Sequence, residues 1–140
     1  MSAGTGITHS EFNPSKTQEV HLLQIWIVPE KKGIKLSYEQ FALPKPDDKN
    51  VLQLIASHEG GKNIIRFYQD VEFYRGLMSL GKSTVHTLRP RRGAWIQMIK
   101  GTIDLNGVRL KAGDGAAIEG VDQITFKAQE ATEFLLFDLA

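Results

Sequence analysis

The chain has 140 residues, 17 Lys+Arg against 16 Asp+Glu, a formal charge of +1 and no cysteine. That length holds one compact domain, or one domain plus a piece of another, and buries enough apolar surface to fold without disulfide or metal staples. The balanced charge excludes a strong nonspecific polyanion binder. The missing cysteines exclude disulfide scaffolds, thiolate-held zinc, iron–sulfur clusters and thiol catalysis, leaving His and carboxylates as the strong metal ligands.

In chain order, Met1 to Gly6 shows no basic region followed by an apolar one, and no apolar run nears the ~20 residues that cross a bilayer. The reading is a cytoplasmic protein with no membrane partner. If Ile7 to Phe12 is a strand, His9 and Glu11 share a face, because side chains alternate with period two. Val20 to Val28 is short, β-branched and aromatic, apolar in part on both faces, and stopped by Pro29, which predicts a strand inside a sandwich. Lys31-Lys32-Gly33 reads as a turn, Ser37 to Leu43 as a weakly alternating strand, and Pro44 to Asp48 as the clearest linker.

Val51 to Ser57 is a further predicted strand, followed by a Gly60-Gly61-Lys62-Asn63 turn. Asp70 to Leu80 is one long strand, or two with a break at Gly76. Beyond it, Gly93, Gly101, Gly107, Gly113 and Gly120 divide the apolar runs Ala94 to Ile99, Thr102 to Leu105, Val108 to Leu110 and Gly115 to Ile118. Asn106-Gly107 marks a type I′ hairpin, whose two central residues need positive φ. Ile124 to Lys127 and Phe134 to Leu139 close the chain. No 12-residue window carries a 3.6-residue apolar period, so an antiparallel sandwich or barrel is expected, with little helix.

The strongest chemical constellation is Gly4-Thr5-Gly6-Ile7-Thr8-His9-Ser10-Glu11. An imidazole and a carboxylate two residues apart are half of an N/O site suited to iron(II), manganese, nickel or copper, although a single His-x-Glu also arises by chance. The other histidines are His21, His58 and His86, and no His-x-His pair occurs. His86 reads as a strand residue bonded to backbone or facing solvent. His21 is either a donor behind a metal ligand or a plain surface residue, and His58 a turn residue. Arg89-Pro90-Arg91-Arg92 is either an anion or acidic-partner site or, more simply, a solvated loop. No phosphate-binding glycine loop and no G-x-S-x-G elbow is present.

The run Ala3-Gly4-Thr5-Gly6-Ile7-Thr8-His9-Ser10-Glu11-Phe12-Asn13-Pro14, followed by His21 to Ile27, resembles the pirin family. Ser37-Tyr38-Glu39-Gln40, Gly113 to Ala117 and Leu135 to Leu139 extend the resemblance over essentially the whole chain. Within the family it is most similar to the bacterial quercetin 2,3-dioxygenase-like members. The resemblance implies a bicupin whose first barrel holds one metal, usually iron, with three His and one Glu. His9 and Glu11 match its H-S-E motif, whereas its His-x-His motif would lie tens of residues before Met1. In the second barrel, the ligand positions of metal-binding cupins read Val85-His86-Thr87-Leu88 and Gly113-Asp114-Gly115-Ala116, which implies a barrel without metal.

The expected fold is therefore all-β. Residues 1–36 are terminal strands of an incomplete first cupin, and residues 37–140 form a cupin-type double-stranded β-helix, or jelly-roll barrel. The leftover strands are expected to expose apolar faces and to self-associate or stay disordered. The resemblance implies a metal-dependent dioxygenase acting on a flavonol-like small molecule. With His9 and Glu11 as only half of the metal site, iron or another divalent ion would bind weakly or not at all, and activity alone would be weak or absent. The alternative is a metal-free cupin interaction module of transcription-cofactor type, without direct nucleic-acid contact, or a truncated remnant.

Overall fold

The computed structural model of the protein describes residues 1–40, 42–43 and 51–140, so the expected linker at Pro44 to Asp48 lies outside the described residues. Among the described residues there are ten strands and no helix. They are β1 (Val51–Ser57), β2 (Ile65–Arg66), β3 (Val71–Met78), β4 (Ser83–Thr87), β5 (Gly93–Lys100), β6 (Thr102–Leu105), β7 (Val108–Lys111), β8 (Gly115–Ile118), β9 (Gln123–Ala128) and β10 (Thr132–Leu139).

Six strands form one sheet in the order β2-β1-β3-β10-β5-β8, and four form a second in the order β4-β9-β6-β7. Every pairing is antiparallel except the short β1–β2 contact. The last strand returns to the middle of the larger sheet, between β3 and β5. The result is an all-β sandwich, as the turn spacing predicts, and a jelly roll of cupin type, as the pirin resemblance implies.

Period-two alternation builds the core. Ile124, Phe126 and Ala128 of β9 point inward, and Ala94, Ile96 and Met98 of β5 meet them from the opposite sheet. Ile96, Ile103, Ile124, Phe126, Phe134 and Leu136 are fully buried. Each contributes about 1.5–3 kcal/mol on leaving water. Phe126 and Phe134 stack across the sandwich with ring centroids 4.8 Å apart. The hairpin at Asn106-Gly107 has φ of 47° and 85°, as a type I′ turn requires.

Three expectations need correction. Val20 to Val28 is not a strand: it pairs with no ladder, and of its large apolar side chains only Ile27 is drawn partly inward, onto the outer face of the six-stranded sheet. Phe12, Val20, Trp26 and Val28 remain exposed. A stretch apolar on both faces gains its stability by pairing on an edge, and here its backbone is tied by Glu30 N to Tyr68 O and by Gln69 Nε2 to Val28 O instead. Ile7 to Phe12 is likewise extended without a ladder. Ser37 to Leu43 reduces to one isolated bridge between Ser2 and Ser37, with Phe41 outside the described residues.

Gly76 does not break β3, which runs through it as one strand. Its role is space: it lies opposite Phe134 in the ladder, and a Cβ built there would fall 2.3 Å from Phe134 Cζ. We expect Gly76→Ala to destabilise the fold by about 1–3 kcal/mol through overpacking. Gly107→Ala, which meets no neighbour within 4 Å, should cost only the left-handed backbone strain, about 1 kcal/mol. Urea midpoints at constant slope would check both.

Candidate metal-ligand pair and adjoining aromatic groove

His9 and Glu11 lie on an extended segment, and their side chains turn to the same side. His9 Nε2 and Glu11 Oε1 stand 4.0 Å apart, with the side chains 32% and 48% exposed. Two cis donors of one ion with bonds near 2.1 Å stand roughly 3 Å apart, so the pair needs a small rotamer closure to share a cation. A borderline nitrogen and a hard carboxylate oxygen fit a divalent transition metal. The same imidazole nitrogen lies 3.4 Å from Gln24 Nε2, so the carboxamide and an ion compete for it. Among the described residues no group of three His, Cys, Asp or Glu converges on one point.

The remaining histidines separate clearly. His21 is exposed, and His58 sits in a turn beside Glu59 at 3.2 Å and Glu30 at 3.6 Å, as its sequence setting suggests. His86 differs from both parts of its expectation. It bonds neither to backbone nor freely to solvent: its Nε2 lies 2.7 Å from Asp138 Oδ2, and its side chain is only 11% exposed. Tyr74 packs edge-on to its ring at 5.1 Å.

The Arg89-Pro90-Arg91-Arg92 cluster is not a simple solvated loop either. Arg92 is 6% exposed and donates Nε to Asp138 Oδ1, Nη1 to Asp70 Oδ1 at 2.9 Å and Nη2 to the Asp138 carbonyl at 2.8 Å. Burial opposes its charge, but the Asp138 and Asp70 hydrogen bonds outweigh that and raise its pKa. Arg89 pairs with Glu72 at 3.0 Å. This buried network was missed, although a signal existed. Asp138 continues the inward parity of Phe134 and Leu136 on an apolar strand, and a carboxylate buried there requires a cation and donors.

Within the sandwich, Leu88 joins the packed core, and Asp114 Oδ2 accepts from Lys111 N at 2.8 Å in a turn. The barrel interior is thus filled with side chains. A concavity lies instead on the outer face of the six-stranded sheet, where an open groove of about 380 Å³ runs between residues 23–27 and strands β5 and β10. Gln24 and Trp26 form one wall, and Trp95, Gln97, Phe137 and Leu139 the other. Gln24 therefore touches both the groove and the candidate metal ligand.

Replacing Arg92 by Met should strip the buried Asp138 carboxylate of its guanidinium partner, leaving it His86, and destabilise the fold by about 3–5 kcal/mol, measured by denaturant unfolding. Burial, the hydrogen bond to Glu72 and the charges of Glu72 and Asp138 push the Tyr74 hydroxyl well above the usual tyrosine range. The unfolded chain then releases a proton that the folded one keeps, so stability should fall as pH rises through that range. Tyr74→Phe should flatten that alkaline slope in pH-resolved unfolding.

Residues 54–139 match the family described as the quercetinase C-terminal cupin domain, and residues 1–27 match the family described as pirin. A quercetin 2,3-dioxygenase of Escherichia coli K12 is 42% identical over 139 residues, which span 99% of this chain and 59% of that protein. A putative quercetin 2,3-dioxygenase of Pasteurella multocida is 41% identical, with coverages of 99% and 59%. The chain thus spans about three fifths of the length of these curated relatives. Among solved structures, YhhW from Escherichia coli aligns with a TM-score of 0.77 at 35% identity, over 82% of this chain and 48% of that one. The structure of the bacterial pirin YhhW in complex with nickel(II) aligns with a TM-score of 0.73 at 35% identity, over 81% and 48%.

Proposed function

The chain belongs to the pirin family, with a quercetinase-type C-terminal cupin domain, and from that premise we propose that His9 and Glu11 are its share of a divalent-metal centre in a quercetin 2,3-dioxygenase-like protein. The observation that carries this reading is the convergence of His9 Nε2 and Glu11 Oε1 to 4.0 Å within the segment that matches pirin. The nickel(II) complex of the related YhhW supports a divalent transition metal; iron is what the pirin resemblance implies. A bound ion would supply Lewis acidity to polarise a substrate enolate oxygen, and open coordination positions.

The chain's own residues then have distinct parts. Glu11 supplies negative charge and a hard oxygen. His9 supplies a neutral nitrogen once Gln24 yields its contact. Gln24, standing between imidazole and groove, is a positioning residue that sets the ring's orientation while no ion is bound. Two donors leave a divalent ion largely hydrated, so we infer weak, readily exchanging metal and little turnover of a flavonol by this chain alone.

A second reading, a metal-free cupin interaction module, draws on the filled barrel: Ile96, Phe126, Phe134 and Leu136 leave it no interior site, so residues 51–139 serve as a scaffold. Metal titration separates the two. Calorimetry with nickel(II) should show weak binding of about one equivalent, abolished by His9→Ala and reduced by Glu11→Gln. Unchanged binding in both variants would sink the assignment. Quercetin consumption with added iron(II) should not exceed that of the metal alone.

A further inference from the structure

We propose that the groove on the outer face of the six-stranded sheet is a binding site for a planar, polyhydroxylated aromatic molecule of flavonol type, and that it works without metal. The groove itself is independent of the metal assignment; only the choice of a hydroxylated ring rests on the dioxygenase reading.

Both tryptophans of the chain line the groove, Trp26 from the extended segment and Trp95 from β5, and they are 85% and 40% exposed. Large exposed indoles offer flat π faces on which aromatic rings stack. Trp95 is held in place. Its ring lies across Gly115 of β8, where a Cβ would fall 2.4 Å from Trp95 Cζ2, so the absence of a side chain at Gly115 lets the indole lie against the sheet. The floor is equally fixed, because Phe137 stacks on Phe73 at 4.4 Å on the same outer face.

Two carboxamides add the polar contacts that orient a ligand in an apolar site. Gln97 spends its amide hydrogens on the carbonyls of Gly113 and Asp114, at 3.3 and 3.2 Å, which pins the group and leaves its oxygen as an acceptor for a phenolic hydroxyl. Gln24 borders the groove and lies 3.4 Å from His9 Nε2, so one end of the groove is continuous with the candidate metal pair. A volume of about 380 Å³ falls within the range of small-molecule sites.

The test uses the two tryptophans as reporters. Quercetin is titrated into the metal-free chain in the presence of a chelator, with tryptophan fluorescence corrected for quercetin absorption and stoichiometry set by equilibrium dialysis. Saturable one-to-one binding is expected, weakened about tenfold or more by Trp95→Ala. Phe12→Ala, which removes an exposed ring outside the groove, should leave it within about twofold. Unsaturable quenching, or equal binding by Trp95→Ala, overturns the proposal. A dimer in the ligand-free chain that Trp95→Ala dissociates overturns it too, since the groove is then a contact between copies. Because the titration contains no metal, its failure leaves the nickel result at His9 untouched, and failure at His9 leaves this site untouched.

Discussion

Strand β10 is the member on which the other parts depend. It is hydrogen-bonded along its whole length to β3 on one side and to β5 on the other, and it is apolar on both faces. Phe134 and Leu136 fill the sandwich, while Leu135 and Phe137 build a second cluster on the outer face with Ala56, Val71 and Phe73. A central strand can satisfy its backbone only if both neighbours stay in register, so inner core, outer cluster and groove stand or fall together.

The same strand ends in a carboxylate that the interior holds tightly. Asp138 is 2% exposed and divides its two carboxylate oxygens between His86 and Arg92. Burying a carboxylate costs several kcal/mol, and the pair regains this only with near-complete hydrogen bonding. Arg92 meets that condition through Asp138, Asp70 and two backbone carbonyls. The network ties the loop after β4 to the end of β10, joining the smaller sheet to the larger by polar as well as apolar contacts.

Much of this was legible in the residues. The runs between the glycines of the second half appear as β5 to β9 with boundaries within about two residues, because each has a clean period-two pattern and a turn residue at its end. The first forty residues were misread for a physical reason. Val20 to Val28 has the composition of a strand, but composition records an affinity for an edge, not the presence of one, and propensity in sheets depends on the neighbours that supply packing. His86 and Arg92 were misread because their partner lies 52 and 46 residues away in sequence, and only the register of β10 brings it to them. His9 Nε2 and Glu11 Oε1 stand 4.0 Å apart although the strand on which their shared side was predicted does not form.

The candidate metal pair and the proposed groove site face opposite entropic situations. His9 and Glu11 sit on a segment without a ladder, so an ion must freeze two half-exposed side chains and the backbone between them, at roughly 1–2 kcal/mol for each residue fixed. Trp95 and Gln97 stand on a central strand already ordered by the fold, and a ligand that stacks there meets a preformed wall. Gln24 links the two: a ligand that holds the 23–27 segment against the sheet also restricts the carboxamide that competes for His9. Gln24 is thus a contact that the two places share, on the groove side through its lining and on the other through His9 Nε2.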